Sequence, residues 1–173
     1  MKKVLQFAGL ISLVLAAVAF VLMLATPGIV LKSGNTQYNY DGVVVLFGSK
    51  ESTNIAGLVT LTSETKPSVL ALIGFILLLL GMIVALLEVV LPLLKVKALE
   101  KFAGIIGIAL CAVFVLAGVF MFLAVPTFFA TNEVDVPKSA GLGAGWVIGG
   151  ILAIVAGAFA FLPVGAALFG KKK

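Results

Sequence analysis

Apolar residues in this chain fall into long unbroken runs, not into strand-like alternation or a narrow helical stripe. Four runs, roughly Val4–Ala25, Val69–Leu94, Phe102–Val125 and Leu142–Leu162, each reach the ~20 residues a helix needs to cross a bilayer. Polar punctuation bounds them. Thr26-Pro27-Gly28 closes the first run, Lys66-Pro67-Ser68 opens the second with Ser68 or Thr65 as N-cap, and Pro126 closes the third. Asn132–Pro137 separates the third from the fourth. The pattern predicts one membrane domain over 1–173: spans at 4–25, 69–94, 102–125 and 142–162, loops at 26–68, 95–101 and 126–141, and a tail at 163–173.

The first loop is the one long polar segment, and it reads as strands. Ile29-Val30-Leu31 runs into the turn cluster Ser33-Gly34-Asn35, and Thr36, Tyr38 and Tyr40 alternate onto one face of the next stretch. Asp41-Gly42 is a hairpin signal, and Val43–Phe47 is β-branched and apolar. A three-stranded antiparallel meander follows, with Ile55–Thr62 either a fourth strand or an extension of the second helix, the strand being preferred. The expected fold class is therefore an all-α four-helix membrane bundle with a small antiparallel sheet of three to four strands in the first extracellular loop. Phe128, Phe129 and Trp146 fit aromatic anchors at the outer interface.

Composition agrees with lipid as the main solvent. Of 173 residues, 62% are hydrophobic and 11% charged, against roughly a quarter charged in soluble domains. The Lys-Lys start followed by an apolar run is like a signal peptide, but Val4–Ala25 is long for an h-region and no small-x-small site follows, so it reads as an uncleaved span.

Charge placement supplies orientation. All basic residues are Lys; eight of the twelve lie at the termini or in 95–101, whereas loops 26–68 and 126–141 carry four Lys balanced by five acids. The positive-inside rule puts both termini and the short connector in the cytoplasm. This is a topology signal and not a phosphate-reading face, so the net +5 does not imply nucleic acid.

Candidate chemistry is sparse. The sequence has no His, one cysteine (Cys111) within an apolar run, no phosphate-binding loop and no metal-ligand spacing. No cofactor, small-molecule substrate or catalytic residue is expected. Gly141, Gly145, Gly149, Ala153 and Gly157 recur every fourth residue, the spacing that lets two helix backbones approach closely in lipid; the seam is either internal to the bundle or a dimer contact. Weaker small-residue rows are Ala8/Ser12/Ala16, Gly81/Ala85 and Ala103/Gly107/Cys111. Glu88 is the one ionisable residue well inside a span, and Pro92 removes the N–H that would take up its carbonyl. Glu88 is either a structural carboxylate, paired with Lys95, Lys97, Lys101 or Gln6, or an intramembrane ion or proton site; the structural role is favoured because the rest of the spans offer no polar path.

Four spans, cytoplasmic termini, a larger β-rich first outer loop and short second and third connections together resemble the claudin and peripheral-myelin-protein superfamily of tetraspans. The resemblance covers the whole chain as architecture. That family's first-loop Trp, Gly-Leu-Trp and paired Cys are missing here, Gly57-Leu58-Val59 being the nearest match, so no functional residue is carried over. Lys-only basicity and small size also resemble four-span proteins of low-GC Gram-positive bacteria, which implies a bacterial cell membrane.

The leading expectation is a non-enzymatic membrane scaffold or interaction protein. It would act through the outer cap (Tyr38, Tyr40, Asp41, Gly42 and Phe47) on the bilayer's outer side, with a second copy or another membrane protein as partner. The alternative is a small transporter or channel subunit using Glu88.

Overall fold

The computed structural model describes residues 2–55, 59–90 and 103–169. It is mostly helical. Four helices are long and apolar enough to cross a membrane: α1 (Lys2–Ala25), α3 (Val69–Val90), α4 (Ala103–Phe122) and α6 (Ala144–Phe169). Between them lie β1 (Pro27–Ser33), β2 (Thr36–Asp41), the short α2 (Gly42–Phe47), β3 (Ser49–Ile55), β4 (Val59–Thr65), α5 (Ala124–Thr131) and β5 (Ala140–Leu142).

The long helices form a ring in which α1 packs on α3, α3 on α4, α4 on α6 and α6 on α1. All four seams are antiparallel. Gly74 faces Ala117 and Phe120 while Gly81 faces Phe114; Gly107 faces Ala160 while Gly118 faces Gly150; Ser12 bonds Ala156 while Gly149 faces Ala19. Helix α1 therefore starts, and α6 ends, at the end of the bundle opposite the strands. Outward faces are apolar (Val14, Val18, Ile76, Leu80, Ile105, Ile151).

Two sheets cap the other end. One has the order β2-β1-β5, and β3 pairs with β4 in a separate antiparallel ribbon. Ile29 lies opposite Tyr40 and Leu31 opposite Tyr38, with Gly34-Asn35 as the tight turn and Gly34 at φ 59°. On its other side β1 pairs with β5, Ile29 opposite Leu142.

Several expectations are corrected here. Val43–Phe47 is helical, not a third strand, and Asp41-Gly42 starts that helix instead of turning a hairpin. The neighbouring residues Val45 and Leu46 are both fully buried between the ends of α1 and α3, which a helix can do on one face and a strand, whose side chains alternate, cannot. The sheet's third strand comes instead from the second loop, as β5. Ile55–Thr62 is not one strand: Ile55 ends β3, opposite Val59, which begins β4, and 56–58 lie outside the described residues. Pro126 does not end a run; it occupies the first turn of α5, where its missing N–H costs nothing. Helix α6 begins at Ala144, leaving Leu142 in β5, and continues through Pro163 to Phe169, so the tail expected from 163 is helical up to there.

Phe128, Phe129 and Trp146 are buried inside the protein, not placed at its rim as anchors. They form the floor of the cap with Met23, Ile29, Val45 and Leu46. Trp146 can be fully interior because its N–H is satisfied by the carbonyl of Met23 at 3.1 Å.

Candidate functional site

The cap is built on the C-terminal end of α1. Pro27 has no N–H for the carbonyl of Met23, four residues earlier, so that acceptor turns to Trp146 instead. Thr26 closes the helix with its own hydroxyl on the Leu22 carbonyl at 2.6 Å, and its carbonyl accepts the N–H of Gly42 at 3.0 Å. That bond sets α2 directly on the helix end. A Cβ at Gly42 would collide with the Met23 carbonyl oxygen, so only glycine admits this approach.

Helix α2 ends at Gly48, with φ 76° and its N–H on the Val44 carbonyl at 2.8 Å. The chain then leaves as the β3–β4 ribbon. Its two strands, Ser-Lys-Glu-Ser-Thr-Asn-Ile and Val-Thr-Leu-Thr-Ser-Glu-Thr, pair along their whole length and are rich in Ser and Thr. A two-stranded ribbon is marginal alone, so its root must be held. The Asn132 side chain does this. Its amide oxygen accepts the Lys66 N–H at 2.8 Å, and its amide nitrogen donates to the Lys66 carbonyl at 3.0 Å and to the Phe128 carbonyl at 2.8 Å. Ser68, buried beside it, donates its N–H to Val45 at 2.8 Å and shares a 2.6 Å hydroxyl bond with Thr127. Lys66 and Glu133 add an exposed ion pair at 3.4 Å.

Between β2 and the ribbon root runs a groove of about 360 Å³. Asn39, Tyr40 and Asp41 form one wall; Ser49, Glu51, Ser63 and Thr65 form the other, with Val44 of α2 between. Alternation explains the second wall. Ser49 pairs with Thr65 and Glu51 with Ser63 on the groove face, while Lys50 and Glu64 pair on the opposite face at 3.1 Å. The groove thus carries two carboxylates, Asp41 and Glu51, and no basic residue. Among the described residues, no three His, Cys, Asp or Glu side chains converge as a metal site would need. What the groove offers is hydroxyl, amide and carboxylate hydrogen bonding beside the free edge of β2.

The residues singled out in the cap are only partly brought together. Tyr40 and Asp41 line the groove, Tyr40 also lying 5.0 Å from the Phe128 ring; Tyr38 is exposed farther along β2. Gly42 is buried beneath, and Phe47 points away along α3 to the Phe75 ring at 5.6 Å. The ribbon wall and Asn132 are not among the residues the sequence singles out. For the wall, the available signal is the Ser/Thr-rich, β-branched character of 49–55 and 59–65; Asn132 has none.

In the helices, the every-fourth-residue row is divided. Gly141 lies in β5 opposite Val30, with nothing near its Cβ position. Gly145 faces Thr26, and Gly149 faces Ala19 of α1 and Met121 of α4. Gly157 packs on the Cys111 carbonyl of α4, and Ala153 is fully buried. A four-residue step advances about 40° past a full turn, so the row rotates from α1 toward α4 as it runs. Gly150 and Gly118, outside the row, meet backbone to backbone in the α4–α6 seam. Glu88 is half-buried on α3, nearly in line with the buried Gly81. Pro92, the connector lysines and the Gln6 side chain lie outside what is described.

No family model matches this chain, and no match to it is found among the curated proteins.

Proposed function

We propose that this is a multi-pass protein of a bacterial cell membrane, claudin-like in layout, with both ends of the chain cytoplasmic and the sheets outside. It is a non-enzymatic scaffold or interaction protein whose partner is another membrane protein or a second copy. The supporting observation is the ribbon. Two seven-residue, Ser/Thr-rich strands form a ribbon of their own, clasped at the root by Asn132, with the root of one face lining a polar groove next to the outer edge of β2. Free strand edges pair readily with other chains, and natural proteins rarely keep one exposed without use or protection.

The transport alternative rests on Glu88. Among the described residues the buried polar side chains are Ser12 and Ser68, each held by a main-chain carbonyl. They give Glu88 no polar route to the cap end, which favours the interaction reading.

The test is photo-crosslinking in intact cells from positions 51 and 63 on the groove face, with lipid-facing Ile83 as comparison. Discrete protein adducts from 51 and 63 and none from 83 are expected. Monomer alone in native mass spectra, with no adduct from either groove position, overturns the reading.

A further inference from the structure

Six consecutive apolar residues, Gly42–Phe47, interrupt a segment that is otherwise polar, and they form α2. Gly42, Val45 and Leu46 face the core, which leaves Val43 and Phe47 47% and 54% exposed. In water these two would form an unexplained apolar face. Their depth suggests a different solvent. The Phe47 ring meets Phe75 edge to face at 5.6 Å, and Phe75 stacks on Phe20 of α1 at 4.9 Å. Phe75 lies six residues into α3, about 9 Å below its start at 1.5 Å per residue. Phe20 lies five residues inside the end of α1. Phe47 therefore reaches down from the cap to a level within both spans, where the neighbouring outward residues of α1 (Val18, Val21) and α3 (Ile73, Ile76) are likewise exposed and apolar.

The seam itself gives a reason. Elsewhere the helices close on small residues: Gly118 on Gly150, Gly157 on Cys111, Gly81 under the Phe114 ring. At the cap end of α1 and α3 the contact is two stacked rings, and Phe47 adds a third ring edge-on to Phe75.

We propose that α2 is a lipid-immersed wedge: Val43 and Phe47 sit among acyl chains of the leaflet on the cap side and seal the α1–α3 seam. This rests on the membrane-spanning reading of the four helices and goes beyond the groove and ribbon. The occupant of the surface is acyl chain, because the face is purely apolar and lies level with the helices' own lipid-facing belt.

The test is site-directed spin labelling in liposomes. In a Cys111→Ala background, single cysteines replace Phe47, Val43, Leu80 as the mid-span reference and Lys50 as the aqueous reference. Collision rates with oxygen, which concentrates in lipid, and with a water-soluble nickel chelate are compared. Oxygen-to-nickel ratios at 47 and 43 are expected close to that at 80 and several-fold above that at 50. Nickel access at 47 and 43 like that at 50 places α2 in water and overturns the proposal. Low access to both agents means that protein covers the face, and also overturns it. Nickel access at 80 instead fails the membrane reading itself, a separate outcome. Fluorescence of the single Trp146 reports whether each variant keeps its cap, and Val43→Cys stands in should Phe47→Cys not fold.

Discussion

The indole N–H of Trp146 donates to the main-chain carbonyl of Met23 at 3.1 Å, across a separation of 123 residues. This bond fastens the start of the fourth long helix to the end of the first, at the acceptor that Pro27 leaves open. Gly28 lies against the same ring, where a Cβ would sit 3.0 Å from it. The cap's two chain segments, β1 and β5, are thereby brought into register beside it.

Replacing Trp146 by Phe keeps most of the volume and removes the donor. A buried acceptor left unpaired costs about 1–3 kcal/mol. Thermal unfolding in mild detergent should show a lowered midpoint for Trp146→Phe and a larger loss for Trp146→Ala. In the wild type this sole tryptophan should emit at short wavelength and resist acrylamide quenching, since it is fully buried.

Gly157 and Gly141 belong to one sequence row but should respond oppositely. A Cβ at Gly157 would sit 2.9 Å from the Cys111 carbonyl oxygen, whereas one at Gly141 meets nothing within 4 Å. Gly157→Leu should destabilise by about 1–3 kcal/mol or more through overpacking. Gly141→Ala should stay within about 0.5 kcal/mol of wild type. Paired melting curves distinguish them; equal losses would contradict the division of the row between strand and helix.

Asn132→Ala removes three hydrogen bonds at the ribbon root. These groups are largely exposed, so water replaces the partner and the global cost should be about 0.5–1.5 kcal/mol. The sharper effect is local. Hydrogen exchange should accelerate at Lys66 and along β3 and β4 while α4 and α6 keep their protection. Glu133→Ala should leave that pattern unchanged, because its ion pair with Lys66 is exposed on both sides and such pairs contribute little.

Ser12 donates its hydroxyl to the Ala156 carbonyl at 2.8 Å, a buried bond between α1 and α6. Bonds of this kind between membrane helices average about 0.6 kcal/mol. Ser12→Ala should therefore cost on that order in a reversible detergent or bicelle unfolding assay, well below Trp146→Phe. A larger loss than that of Trp146→Phe would mean that the helix seam, and not the cap, dominates stability.

The sequence by itself determined the helices. Runs of about 20 apolar residues leave a backbone in lipid no choice but to satisfy its own hydrogen bonds, and a helix does this within one segment. The start of α3 at Val69 and the turn at Gly34-Asn35 were legible for the same reason: Pro, Gly and a capping serine act through their own backbone geometry. Tertiary structure decided the cap. Val43–Phe47 has strand composition, yet the gap between α1 and α3 needs two adjacent apolar residues pointing the same way, and Val45 and Leu46 meet that need only in a helix. Likewise β5 is three apolar residues, Ala140-Gly141-Leu142, with no strand signal of its own; it is a strand because β1 presents a free edge there. The groove between β2 and the ribbon, and the clasp of Asn132 on Lys66, depend on partners that sequence spacing does not relate, 66 residues apart for the clasp. Local rules settle what a segment does with its own hydrogen bonds, whereas packing settles which segments meet once water is excluded between them.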